Sequence, residues 1–164
     1  MGNRQLLEAS NLRLAIIASR FNLEITQRLV TGAEEAITEH GGSAPLRLWV
    51  PGAFELPLTA LSVAESGQVD AIVALGCVVR GETAHFEHVA RECASGLMHV
   101  NLETGVPCGF GVLSTYDRKQ ALARSGKENN HGRFAAETAI EMANLLHRMQ
   151  DEPQELIQLG RVGE

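Results

Sequence analysis

The sequence predicts an α/β fold: a single-domain three-layer sandwich with a four-stranded parallel sheet and helices on both faces. Three observations carry this. Four apolar runs alternate with segments of helical periodicity. The longest run, DAIVALGCVV (70–79), is apolar almost throughout, as expected of a strand covered on both sides of a parallel sheet. No linker, repeat or low-complexity block divides the 164 residues, so one domain is expected over 1–164, with a core from about 12 to 150 and a polar tail at 151–164.

Each element has its own signal. LRLAIIAS (12–19) reads as the first strand. A helix follows in which Ile25, Leu29, Val30, Ala33, Ala36 and Ile37 recur at helical spacing; Asn22 is its candidate N-cap, and Gly41-Gly42 ends it. LRLWV (46–50) is the second strand, closed by Pro51-Gly52. FELPLTALSVAESG is the second helix, with Pro57 early enough that its missing N–H costs little. After the third strand at 70–79, a long helical pattern runs from about Thr83 to Glu103. PCGFGVLST (107–115) is the fourth strand and DRKQALARSG a short helix. HGRFAAETAIEMANLLHRM is the last helix, with Phe134, Ala135, Ala139, Met142, Ala143 and Leu146 as its predicted buried stripe.

Composition narrows the function. A formal charge of −6 and a pI near 5.5, with no run of Lys and Arg, exclude an evident nucleic-acid surface. The cysteines at 77, 93 and 108 form no CxxC pair and read as reduced thiols. MGNRQLLEASNLR lacks the apolar core of a signal peptide, and no stretch approaches the ~20 apolar residues of a membrane span. A soluble cytoplasmic protein is expected.

Ligands of open parallel sheets bind outside the carboxyl ends of the strands. That rule selects SRFN (19–22), VPGAFE (50–55), CVVRGETAH (77–85) and FGVLSTYD (110–117). Within RGETAHFEHVA, His85 and His88 lie three apart on a helix, but no second ligand pair accompanies them, so a metal site is not expected. A solvated helical face accounts for Glu87, Arg91, Glu92 and His88. It accounts less well for Gly81-Glu82-Thr83, where a glycine after a buried strand and a hydroxyl residue opening a helix leave free N–H groups for an anion. With neither GxxxxGK[ST] nor GxGxxG present, a small phosphate ester suits that anion better than a nucleotide.

The stretches ASRFN, GAEEAI, WVPGAFELP, DAIVALGCVVRGETAHFEHVA, GVPCGFGVL, QALAR and AIEMANL, in this order, resemble the lumazine synthase family from about Leu12 to Leu146. The resemblance implies a flavodoxin-like sandwich and a cofactor-independent enzyme. It would condense 5-amino-6-(D-ribitylamino)uracil with 3,4-dihydroxy-2-butanone 4-phosphate to 6,7-dimethyl-8-ribityllumazine, releasing phosphate and water, in the penultimate step of riboflavin synthesis. No cofactor or metal is implied. The expected partners are small-molecule substrates and further copies of the chain, in a pentamer with active sites between adjacent subunits and with the option of a sixty-subunit shell. Riboflavin synthase is a further candidate partner.

Carried over residue by residue, the resemblance assigns His85 as the acid/base residue. Phe21 would stack on the pyrimidine, while Ala53, Phe54 and Glu55 would hold the ring and the ribityl chain. Cys77, Val78 and Val79 would line the heterocycle and Phe110 would close its pocket. Glu82, Thr83 and Arg124 would bind the phosphate, joined by His131, which stands in KENNHGR where the family's AGNKG-like loop carries a lysine. Each has a plainer reading: the phenylalanines as core aromatics, Arg124 and Glu55 as exposed helical residues. Two other functions also fit, a flavin- or lumazine-binding module without turnover and a shell-forming structural paralogue. The intact VPGAFELP and RGETAH, together with His85 and Arg124, favour the enzyme.

Overall fold

The computed structural model describes residues 7–151. Its order is β1 (Leu14–Ser19), α1 (Leu23–Glu39), β2 (Leu46–Val50), a single 3₁₀ turn (Ala53–Glu55), α2 (Leu56–Glu65), β3 (Ala71–Val79), α3 (His85–Thr104), β4 (Cys108–Thr115), α4 (Arg118–Ala123) and α5 (His131–Asp151). The strands form one parallel sheet in the order β2-β1-β3-β4. Among the described residues this is the flavodoxin-like order without a fifth strand, and the predicted fold class holds.

Why these runs become strands is visible in their burial. Every residue of β1 is buried, and so is β3 from Ala71 to Cys77. On one side of the sheet Ile16, Val73 and Leu75 pack against Ile25, Leu29 and Ala33 of α1 and Ala135, Ala139 and Ile140 of α5. On the other, Ile17, Ile72 and Ala74 meet Leu56 and Ala60 of α2 and Cys93 and Leu97 of α3. Strands covered on both faces cannot alternate polar and apolar residues, hence the continuous runs. α1 ends at Gly41-Gly42 as predicted, with the Gly42 N–H donating back to Ile37 O over 2.8 Å.

Three sequence expectations need correction. Asn22 occupies the N-cap position of α1, but in a left-handed conformation (φ 58°) and without a side-chain cap; its amide Nδ2 instead donates to Cys77 O over 2.8 Å. The buried stripe of α5 is Gly132, Ala135, Ala136, Ala139, Ile140 and Ala143, whereas Phe134 and Met142 are exposed. α3 begins at His85 rather than Thr83, with Ala84 at its N-cap and no side chain capping it. The polar tail expected at 151–164 lies outside the described residues beyond Asp151.

The chain leaves β1 towards β2 and β3 towards β4, in opposite directions, so the sheet's switch point lies between the carboxyl ends of β1 and β3. Asn22 spans that gap by its bond to Cys77, and Arg20 N and Phe21 N donate to Val50 O and Pro51 O over 2.8 and 3.1 Å. The ends of β1, β2 and β3 are thereby tied together around one opening.

Candidate active site

A cavity of about 580 Å³ lies at that opening. Its floor is Cys77, Val78 and Val79 at the end of β3. One wall is the turn after β2, with Gly52, Ala53, Phe54 and Glu55. Phe21, beyond β1, forms another. Gly81, Thr83 and the start of α3, with His85, Phe86, His88 and Val89, complete it. Phe21 is 70% exposed and Phe54 59%, so neither is a core aromatic. An aromatic face kept open to solvent at the mouth of a cavity suits stacking on a planar ring.

Local chemistry explains the wall after β2. Gly52 N–H donates to Glu55 Oε2 over 2.9 Å, and Glu55 N–H donates to Gly52 O over 3.4 Å. These reciprocal bonds fold VPGAFE back on itself and turn Glu55 into the cavity ahead of α2. On the opposite side Arg80 N donates to Thr115 O over 2.9 Å, and the Arg80 guanidinium lies 5.8 Å from the centre of the Tyr116 ring. The segment leading into α3 is thus anchored to the end of β4.

Cys77 contributes packing and a backbone carbonyl rather than a nucleophile. Burial pushes its thiol up to about 11, against the weaker opposing charge of Arg118, so it stays protonated at neutral pH. Burial likewise pushes Cys93 and Cys108 up to about 12.

Of the residues singled out by sequence, the structure gathers Phe21, Ala53, Phe54, Glu55, Cys77, Val78, Val79, Thr83 and His85 around this one cavity. Glu82 sits between two lining residues without lining it. Phe110, Arg124 and His131 lie elsewhere. Phe110 projects from β4, an edge strand, and is 49% exposed. Arg124 follows α4 and His131 opens α5, where its ring lies 5.6 Å from that of Phe134. Burial, and secondarily the charge of Arg124, hold the His131 imidazole below its ordinary value.

Sequence reasoning missed His88 as a wall residue, assigning it to a solvated face. It lines the cavity one turn beyond His85, and its Nδ1 lies 3.3 Å from Arg91 Nη2. The three-residue spacing on one helical face was the signal available. Among the described residues no group of three His, Cys, Asp or Glu is arranged to hold a metal ion.

Residues 11–147 match the family model described as 6,7-dimethyl-8-ribityllumazine synthase. The chain belongs to the lumazine synthase family. With membership come a transferase of riboflavin biosynthesis, small-molecule substrates and a habit of oligomeric assembly. Among the described residues no helix is long and apolar enough to cross a membrane.

Proposed function

We propose that the chain condenses 5-amino-6-(D-ribitylamino)uracil with 3,4-dihydroxy-2-butanone 4-phosphate to give 6,7-dimethyl-8-ribityllumazine, as a cytoplasmic enzyme without a cofactor. The observation that carries this reading is the cavity at the β1/β3 switch point, where the open rings of Phe21 and Phe54, the Glu55 carboxylate and the His85 imidazole meet. Phe21 and Phe54 stack on the pyrimidine, Glu55 accepts hydrogen bonds from ribityl hydroxyls, and backbone groups of Cys77–Val79 align the heterocycle. Glu82, Thr83 and the first turn of α3 receive the phosphate end.

In this mechanism the 5-amino group adds to the ketone, and loss of water leaves an imine. Removal of the neighbouring C–H proton expels phosphate and leaves an enol, which tautomerises to a second carbonyl. The ribitylamino nitrogen then closes the ring as a second water departs. Each step moves a proton close to neutral pH, the work for which an imidazole is suited. His85, which lines the cavity and opens α3, is the residue to which we assign it.

Among the described residues no Lys or Arg lines the cavity, although a phosphate ester calls for a cation. Arg124 and His131, with Phe110, lie outside it. The reading is therefore a homo-oligomer, a pentamer, in which these three residues of one subunit complete the cavity of the next. Incubating purified protein with both substrates and following lumazine absorbance tests the reaction. Binding of the pyrimidine without turnover would instead indicate a ligand-holding module, and neither binding nor turnover a structural shell protein. Light scattering that shows an active monomer would remove the shared site.

A further inference from the structure

Arg124 and His131 are held at the neck of a short loop. His131 N–H donates to Arg124 O over 2.9 Å, and Ser125 and Asn130 face each other in an antiparallel bridge. Lys127 and Glu128 belong to the loop beyond this neck. Asn130, only 7% exposed, uses both ends of its amide. Its Nδ2 donates to Arg28 O of α1 over 3.0 Å and to Ser125 O over 3.3 Å. Its Oδ1 accepts from Gly132 N over 2.9 Å and from Arg133 N over 3.1 Å.

α1 leaves room for this side chain. A Cβ at Gly32 would stand 2.3 Å from Asn130 Oδ1, and one at Gly132 would stand 2.0 Å from Leu29 O. Glycine at both positions lets the two helices and the loop close on the same amide.

We propose that Asn130 is a positioning residue that clamps Arg124 and His131 side by side as one anion-binding pair. The proposal rests on the reading of those two residues as phosphate contacts. A bare N-cap role for Asn130 would need only Oδ1, which serine replaces well. The clamp needs Nδ2 as well, because its bond to Arg28 O ties the loop to α1.

Asn130→Ser separates the two roles, since it keeps a neutral cap and removes the bonds to Arg28 O and Ser125 O. Gly32→Ala is the second variant, displacing Asn130 while leaving loop composition and charge unchanged. The first readout is the NMR titration of His131 in unliganded protein, with the other charged groups around the neck, Arg28, Arg124, Lys127, Glu128 and Arg133, retained. In both variants the titration should move up towards the ordinary histidine value, as Arg124 drifts away and the ring becomes better solvated. The second readout is the Michaelis constant of the butanone phosphate, which should rise about tenfold for the lost bonds while that of the pyrimidine and the turnover number change much less. A His131 titration unchanged in folded Asn130→Ser and Gly32→Ala protein overturns the clamp. A shifted titration with an unchanged Michaelis constant supports the clamp and removes Arg124 and His131 from phosphate binding.

Discussion

Glu55 Oε2 accepts the backbone N–H of Gly52 over 2.9 Å, so one oxygen of a carboxylate that lines the cavity is already committed to the protein. In the proposed reaction the other is the one offered to the ribityl hydroxyls. Glu55→Gln should preserve the turn, because the amide oxygen can still accept from Gly52, but it offers the cavity a donor in place of an acceptor. The pyrimidine Michaelis constant should rise roughly tenfold, the scale of a hydrogen bond to a charged group, with stability nearly unchanged. Glu55→Ala should raise the same constant and also destabilise by about 1 kcal/mol through loss of the turn. Steady-state kinetics beside urea unfolding would check both; equal kinetics in wild type and Glu55→Gln would remove Glu55 from ribityl binding.

What the sequence made legible follows from the range of each interaction. LRLWV becomes β2 over the predicted bounds although its first two residues are exposed, its end being marked locally by Pro51-Gly52; β3 starts one residue inside the predicted run, because burial on both faces writes an unbroken apolar string. Asn22 reads locally as a cap, yet its side chain answers to Cys77, 55 residues away in sequence. The predicted stripe on α5 is right at Ala135, Ala139 and Ala143 and wrong at Phe134 and Met142, because small residues carry the contact with α1. Gly132 and the alanines pack inward while Phe134 lies beside the His131 ring, and the larger apolar side chains misled the pattern. The cavity wall was legible because its residues fall at strand ends, where topology alone gathers them. The separation of Arg124 and His131 from that wall depends on the path of α4 and α5 around the sheet, which no spacing within the chain reveals.

His85 should govern rate. General acid/base assistance typically contributes about 10²–10⁴-fold, while holding the amine beside the ketone supplies a large share of the acceleration by itself. His85→Ala should therefore lower the turnover number by about 10²-fold, with both Michaelis constants changing far less. His88 shares the wall but stands one turn further from the helix start, and His88→Gln should leave turnover within about threefold, well under the lower bound for losing an acid/base group. Comparing the two variants at saturating substrate checks the assignment. If His88→Gln shows the larger loss, the roles are reversed.

Ser19 closes β1 with its hydroxyl fully buried and without a hydrogen-bond partner among the described residues. A Cβ on Gly76 would lie 3.3 Å from that oxygen, beside Leu56 and Val112, which places the hydroxyl in apolar surroundings behind the cavity floor. An unmet buried hydroxyl costs about 1–3 kcal/mol, and alanine at this position leaves at most a small gap. Ser19→Ala should accordingly leave stability unchanged or raise it by up to about 1 kcal/mol, measured by urea unfolding at one fixed protein concentration. A loss larger than about 1 kcal/mol would mean that the hydroxyl is satisfied in solution.

In the proposed shared site, His131 would tie phosphate binding to pH. Burial and the nearby Arg124 charge lower its pKa in the free protein, so it is charged only below the ordinary value near ~6.5. A bound phosphate dianion favours the imidazolium and raises that pKa in the complex. Affinity is then greatest below the free pKa, falls as pH rises from the free value to the bound one, and levels off above it. The Michaelis constant of the butanone phosphate should therefore begin to climb below pH ~6.5, earlier than for an unperturbed histidine. The ester's own second ionisation near ~6 opposes the climb at its acidic end. The informative quantity is thus the ratio of wild type to His131→Lys, in which a fixed cation removes the histidine and leaves the ester's titration common to both. That ratio should rise with pH and then plateau, while the same ratio for the pyrimidine stays flat. The ratio of His131→Ala to His131→Lys should stay near that plateau value throughout. A ratio independent of pH would place His131 away from the phosphate and leave Arg124 and the α3 N-terminus to bind it.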